Sequence, residues 1–161
     1  MPRRGSANRL SDDELAAWQG LLRAGVRFQR ELDAELRSSH GLSGSDYDVL
    51  IQLGLSPTKT LRMSDLAQEV LMSHNGVSRV VAQLEADGLV TRERDAQDGR
   101  AVHVTLTPHG REVLQSANRA HLTQVRARFL DRLSDEQLSQ LRTIWDAVDP
   151  TLVAGRPRAP R

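Results

Sequence analysis

The chain has 161 residues, of which 22 are basic and 21 acidic, for a net charge of +1. With no cysteine it can hold no disulfide, thiol nucleophile, thiol redox sensor or cysteine-bound metal. So even a charge balance also denies it the basic footprint of many nucleic-acid-binding domains, so any case for a polyanionic partner rests on where individual side chains sit.

Residues 1–10 carry Arg3, Arg4 and Arg9 and read as a disordered basic tail. They lack the apolar stretch of a signal peptide, and no apolar run in the chain approaches the ~20 residues of a membrane-spanning helix. The expected location is cytoplasmic, at the nucleoid. "SDDE" (Ser11 to Glu14) fits a capping box and opens a long helix to about Ser38. Leu15, Trp18, Leu22, Gly25, Leu32 and Leu36 follow a near-heptad rhythm, and Leu21 and Phe28 add a second stripe. A helix apolar on two flanks faces more than its own domain. Ser43 starts a second helix with Tyr47, Leu50, Ile51 and Leu55 at helical spacing, and "SPTK" reads as a turn.

Two short amphipathic segments follow. "MSDLAQEVLM", capped by Ser64, presents Leu66, Ala67 and Val70 to a core. "SHNGVSRVVAQLEADG", capped by Ser73, presents Val77, Val80, Val81 and Leu84 and stops at Gly88. Together they predict a helix-turn-helix, with small Ala67 at the crossing. The period then switches to two: "LVTRER" and "AVHVTL" flank the turn-forming "DAQDG", which predicts a β-hairpin. Thr107 as N-cap and Pro108 at the first helical position open a helix to about Leu133, and "SDEQ" (Ser134 to Gln137) caps a last one. Residues 150–161 form an Arg- and Pro-rich tail that reads as disordered.

A helix-turn-helix followed at once by a hairpin is a winged helix-turn-helix, so the expected fold is mainly α with a small β-hairpin wing (α+β). On its second helix the core positions leave His74, Asn75, Ser78 and Arg79 on the opposite face. Arg can hold guanine through two bonds, Asn can pair with adenine, and Ser can take a base or a phosphate. Ser73 and the free N–H groups of the helix start suit a phosphate. No P-loop, GxGxxG or GxSxG is present, and the acids Asp46 and Asp48 suit a helix start, so no enzyme is expected. His40, His103, His109 and His121 lack metal-ligand spacing; His103 and His109 read as solvated or capping residues, and no metal or cofactor is expected.

From about Leu10 to Val148 the chain resembles the MarR family of transcriptional regulators. The resemblance is carried by "LAQEVLMSHNGVSRVVAQLEADGLVTRERDAQDGRAVHVTLTPHG", above all by "LEADGLVTRERD" running into "DGRAVHVTLTPHG". It implies an N-terminal dimerisation helix (11–42), a winged helix-turn-helix DNA-binding domain (43–107) and C-terminal dimerisation helices (108–149). It further implies a homodimer on double-stranded DNA, at a pseudo-palindromic operator, repressing a gene until a small aromatic or phenolic ligand releases it. Such ligands sit in a cleft for which Trp18, Arg27, Phe28, His40 and Tyr47 are the candidates. The competing reading is a winged helix used only for protein contacts, without DNA readout.

The wing is where charge balance matters. Residues 92–104 hold three arginines and three acids. The resemblance implies that Asp98 fixes the pose of Arg100 so that it can enter the minor groove, where one placed arginine counts for more than several mobile ones. Arg94 and Asp95 then brace the wing's base, and Arg92 or Arg94 is available to phosphate. On this reading the acids organise the arginines instead of opposing the polyanion.

Overall fold

The computed structural model describes residues 9–70, 72–95, 98 and 101–150; the expected tails fall almost wholly outside them, as does Arg100. The chain divides after His121 into two compact units.

In the first unit, helix α1 (Asp12–His40) begins with the expected capping box: Ser11 Oγ accepts the Glu14 N–H, and the Glu14 carboxylate accepts the Ser11 N–H at 2.8 Å. It ends where Gly41 turns left-handed at φ 68°. Helix α2 (Gly44–Leu55) repeats the device with Ser43 and Asp46. Then come strand β1 (Thr60–Arg62), the two helices α3 (Met63–Glu69) and α4 (His74–Ala86), strands β2 (Val90–Arg94) and β3 (Val102–Leu106), and helix α5 (Pro108–Arg128), which crosses into the second unit. Thr107 Oγ1 accepts the Gly110 N–H at 2.9 Å, as an N-cap should.

The core is aliphatic. Leu50 and Leu53 of α2, Leu66 of α3, Val77, Val81 and Leu84 of α4, Val90 of β2 and Val104 of β3 are all almost fully buried. Burial of this kind is worth about 1.5–3 kcal/mol per side chain and fixes which face of α4 looks outward. The exposed side of α1 differs: Leu15, Trp18, Leu21 and Leu22, on the stripes that predict an external partner, lie open to solvent, as does Val26.

The structure refines three expectations. The expected wing hairpin forms, β2 pairing with β3, and β1 joins it as a third antiparallel strand in the order β1-β3-β2. β1 follows the Ser-Pro-Thr-Lys turn and spans only three residues, too few for a two-residue period to register. Lys59 leads into it at φ 59°, with its Nζ donating to the Gly54 carbonyl at 2.5 Å and its own carbonyl accepting the Leu106 N–H at 2.9 Å. Second, Ser64 does not cap α3. The helix follows directly on β1, so Arg62 is the N-cap, and Ser64, already inside the first turn, donates to Asp65 at 3.1 Å. Third, α5 stops at Arg128, because Phe129 leaves helical geometry and a 3-10 turn (Leu130–Arg132) intervenes. In the second unit Ser134 caps α6 (Asp135–Val148) through the expected box. None of its described residues is buried, and Ile144 and Val148 are exposed.

Candidate nucleic-acid interface

Successive residues of an α-helix turn by about 100°. With Val77, Val81 and Leu84 pointing into the core, Asn75, Arg79 and Ala82 fall on the outward crest of α4. His74, Ser78 and Glu85 fall on the flank toward the sheet, and Gln83 on the other flank. Exposure agrees: Ser73, His74, Asn75 and Arg79 are exposed and Ser78 is half-buried. Ser73 Oγ accepts the Gly76 N–H at 3.2 Å, holding the helix start as the cap residues predict.

A groove of about 390 Å³ runs between α4, the start of α3 and the wing. His74 and Ser78 line one wall, Arg92, Asp98 and Val102 another, and Arg62 and Ser64 its end. Thus His74, Ser78, Arg92 and Asp98, all named from sequence, share one concave surface. Arg79 opens onto the other flank, where Arg37, Ser45, Gln83 and the acids Asp33 and Asp46 line a second hollow of about 360 Å³. Asn75 stands exposed on the crest.

The wing's arginines have unequal roles. Side chains alternate along a strand, so Arg92 lies on the same face as core residues Val90 and Val104, turned toward α4. Its Nε donates to Glu85 at 2.7 Å and its backbone N–H to the other carboxylate oxygen at 3.2 Å. The guanidinium holds the Glu85 carboxyl below the usual carboxylate range. Arg92 is therefore a strut between wing and helix rather than a loose phosphate ligand. Arg94 is exposed, and it is not what braces the wing. Asp95 braces it through His103, whose Nε2 lies 2.9 Å away, and Arg62 at 3.9 Å. His103 is accordingly no solvated histidine.

The cleft between α1 and α2 measures about 190 Å³ and is lined by Gln29, Leu32, Leu36, Tyr47, Asp48 and His121, among others. Of the five ligand candidates only Tyr47 lies there; it is buried, its hydroxyl donates to Asn118 at 2.7 Å, and its ring centroid is 4.7 Å from that of His121. Trp18 sits about 21 Å up the helix from Leu32, at 1.5 Å per residue, and is exposed. Arg27 pairs with Glu31 at 2.8 Å, the half-buried Phe28 is not among the lining residues, and His40 bonds Ser116 at 3.1 Å.

Desolvation raises the Asp48 carboxyl above its ordinary 3.8, against the pull of His121, and lowers the His121 imidazole below 6.5, against Asp48. A histidine whose folded value is depressed leaves stability intact above about 6.5 and removes it as pH falls below that, because the unfolded chain takes up the proton first. Asp48 acts oppositely, adding stability as pH falls through its raised value toward 3.8. The melting temperature should therefore decline as pH drops below about 6.5, and His121→Gln should flatten that decline. An unchanged slope in the variant would refute the assignment.

A family model described as MarR family matches residues 40–101. AbsC, a MarR family transcriptional regulator from Streptomyces coelicolor, is 31% identical; the match covers 91% of this chain and 98% of that one, with a TM-score of 0.84. The chain belongs to the MarR family. It is a DNA-binding transcriptional regulator built on a winged helix. Sco3205, a MarR family transcriptional regulator from the same organism solved in complex with DNA, is also 31% identical, with 95% and 96% of the two chains covered and a TM-score of 0.84. The HTH-type transcriptional regulator YkoM from Bacillus subtilis is 28% identical over 134 residues, covering 81% of this chain and 85% of its own.

In this MarR-family chain, sequence reasoning missed Arg62 and Ser64 in the groove and Asp48 and His121 in the cleft. Arg62 becomes visible only with β1. His121 sits mid-helix with no motif around it, and Asp48 looks like an ordinary helix-start acid. Glu85 lay in plain sight within "LEADG", but nothing in the sequence couples it to an arginine seven residues on.

Proposed function

We propose that this regulator acts as a homodimer whose two α4 helices enter major grooves one helical turn apart, about 34–36 Å, on a pseudo-palindromic operator. Asn75 and Arg79 read bases, Ser73 and the α4 N-terminus hold a phosphate, and the wing, through Arg100 braced by Asp98, reaches the flanking minor groove. The observation that carries this reading is the crest of α4: two base-competent side chains exposed directly opposite Val77 and Val81. A module used only for protein contacts has no need of that pair. Dimerisation is supported by the open apolar stripe of Leu15, Trp18 and Leu22 on α1. The regulator represses its target, and a small aromatic acid seated beside Tyr47 and His121 releases the DNA.

The test is fluorescence anisotropy with the DNA upstream of the chain's own gene, challenged with unrelated competitor. Wild type should resist competitor as a two-chain complex, Arg100→Ala should bind markedly less tightly, and aromatic acids should release the bound fragment. Failure to select any sequence from a random pool would favour the protein-contact reading.

A further inference from the structure

Three separate segments meet at the carboxylate of Asp95, the residue that follows β2. Its Oδ2 lies 2.9 Å from His103 Nε2 on β3 and 3.9 Å from Arg62 Nη2 at the end of β1. Its Oδ1 accepts the backbone N–H of Asp98 at 3.0 Å. Two main-chain bonds close the same turn: Asp95 N–H to the Ala101 carbonyl at 2.9 Å, and Ala101 N–H to the Asp98 carbonyl at 2.8 Å. Strand register places Arg62, His103 and Glu93 opposite one another on the sheet face turned away from the core. The Asp95 and His103 side chains are 22% and 31% exposed, and Arg62, half exposed at 50%, closes the group from outside.

What this carboxylate joins is specific. Arg62 is the N-cap residue of α3 and reaches the groove beside α4, so it belongs to the helix-turn-helix. Asp98 lies on the wing's turn and lines the same groove. A single side chain thus ties the wing's turn and its middle strand to the first helix of the reading head. In addition, Arg92 ties β2 to Glu85 near the end of α4. One strut sits on each face of the sheet, and together they restrict the hairpin's swing about its base. A lone exposed ion pair adds little to stability, but fixing the angle of an arm that must meet a groove has its effect on placement.

We infer that Asp95, His103 and Arg62 are positioning residues that set the wing against the helix-turn-helix, so that they govern discrimination of the DNA flanking each half-site while touching no base. The inference rests on the wing reading flanking DNA, as proposed above. It predicts a separation of two kinds of specificity. Base discrimination by α4 needs only the core behind it, whereas flank discrimination needs the wing held at its angle.

The experiment measures anisotropy on three duplexes: the selected operator with A·T-rich flanks, the same half-sites with G·C-rich flanks, and the A·T-flanked operator with one half-site base pair changed. Wild type is compared with Asp95→Ala, His103→Ala, the double variant and His103→Gln, each checked for an intact thermal transition. The flank preference should shrink by about threefold or more in either alanine variant, with the penalty for the half-site change preserved. The double variant should lose no more than either single one, and His103→Gln, which keeps an N–H to donate, should restore the preference. Undiminished flank preference in the alanine variants would overturn the inference, as would equal loss of flank and half-site discrimination. If wild type reads half-sites but not flanks, the wing–groove reading fails and the positioning role falls with it.

Discussion

Gly110→Ala is expected to lower the stability of the fold by about 3 kcal/mol or more, a large share of the margin that an ordinary domain has. A β-carbon at this position would stand 2.0 Å from the Leu89 carbonyl oxygen and 2.9 Å from its carbon, with Leu106 Cδ1 at 3.0 Å. These are mostly main-chain atoms, and they are pinned. The Leu89 carbonyl accepts the Thr107 N–H and the Thr107 hydroxyl, both at 3.1 Å, while the Leu89 N–H donates to Leu84 at the end of α4 at 2.9 Å. Moving Leu89 would pull on the seam that joins α4, the wing and the first turn of α5. Alanine's better helix propensity, worth about 1 kcal/mol, runs the other way and is too small to compensate. Gly54→Ala is the control. Its β-carbon meets the end of the Leu114 side chain at 2.6 Å, which can rotate aside, so its loss should be clearly smaller. Urea denaturation of the three proteins decides the matter; equal midpoints for Gly110→Ala and wild type would show that the close approach has room to relax.

Arg79→Ala should weaken binding to the operator by about ten- to a hundredfold, the size of one two-bond base contact, while binding to unrelated DNA changes little. Asn75→Ala should do the same at a different base pair. Because the two sit one turn apart and are neighbours on the crest, a double variant measures how far their contributions are coupled. Ser73→Ala should behave differently, lowering affinity for all sequences by a similar factor, since a phosphate carries no sequence information. Arg92→Ala is the informative contrast: its guanidinium already holds Glu85, so its removal should disturb wing placement more than it changes the salt slope. Because the chain carries a net charge of only +1, non-specific binding should be weak and the salt slope shallow throughout. Anisotropy over a salt series with operator and scrambled duplexes separates these effects. A loss for Arg79→Ala that is equal on both duplexes would demote it from base reader to phosphate contact.

Local chemistry wrote much of this fold openly. Ser11, Ser43, Ser73 and Ser134 each cap the helix they precede, and Gly88 turns at φ 70° where α4 ends. Such signals lie within four residues and need no tertiary context. Ser64 misleads for the same reason: a serine beside a helix start looks alike at the cap and one turn in, and only β1 decides which. The outward set on α4 was legible because four valine and leucine positions fix its phase. Which of those residues share a groove was not, because that depends on how the sheet stands against the helix. Of the ligand candidates, Tyr47 lines the cleft, while Trp18, Arg27 and Phe28 lie on a 29-residue helix whose sequence does not say which of its turns faces that cleft.

The sequence holds a single lysine, and its amine is spent on the Gly54 carbonyl at the end of α2. The cationic groups on the α4 crest and the wing are therefore guanidiniums, which keep their charge at any physiological pH and offer no amine to an acyl donor. Acetylation, a common cellular means of cancelling positive charge on a DNA-binding surface, thus finds no acceptor there. Whatever tunes the charge of this interface therefore acts by some route other than lysine acylation.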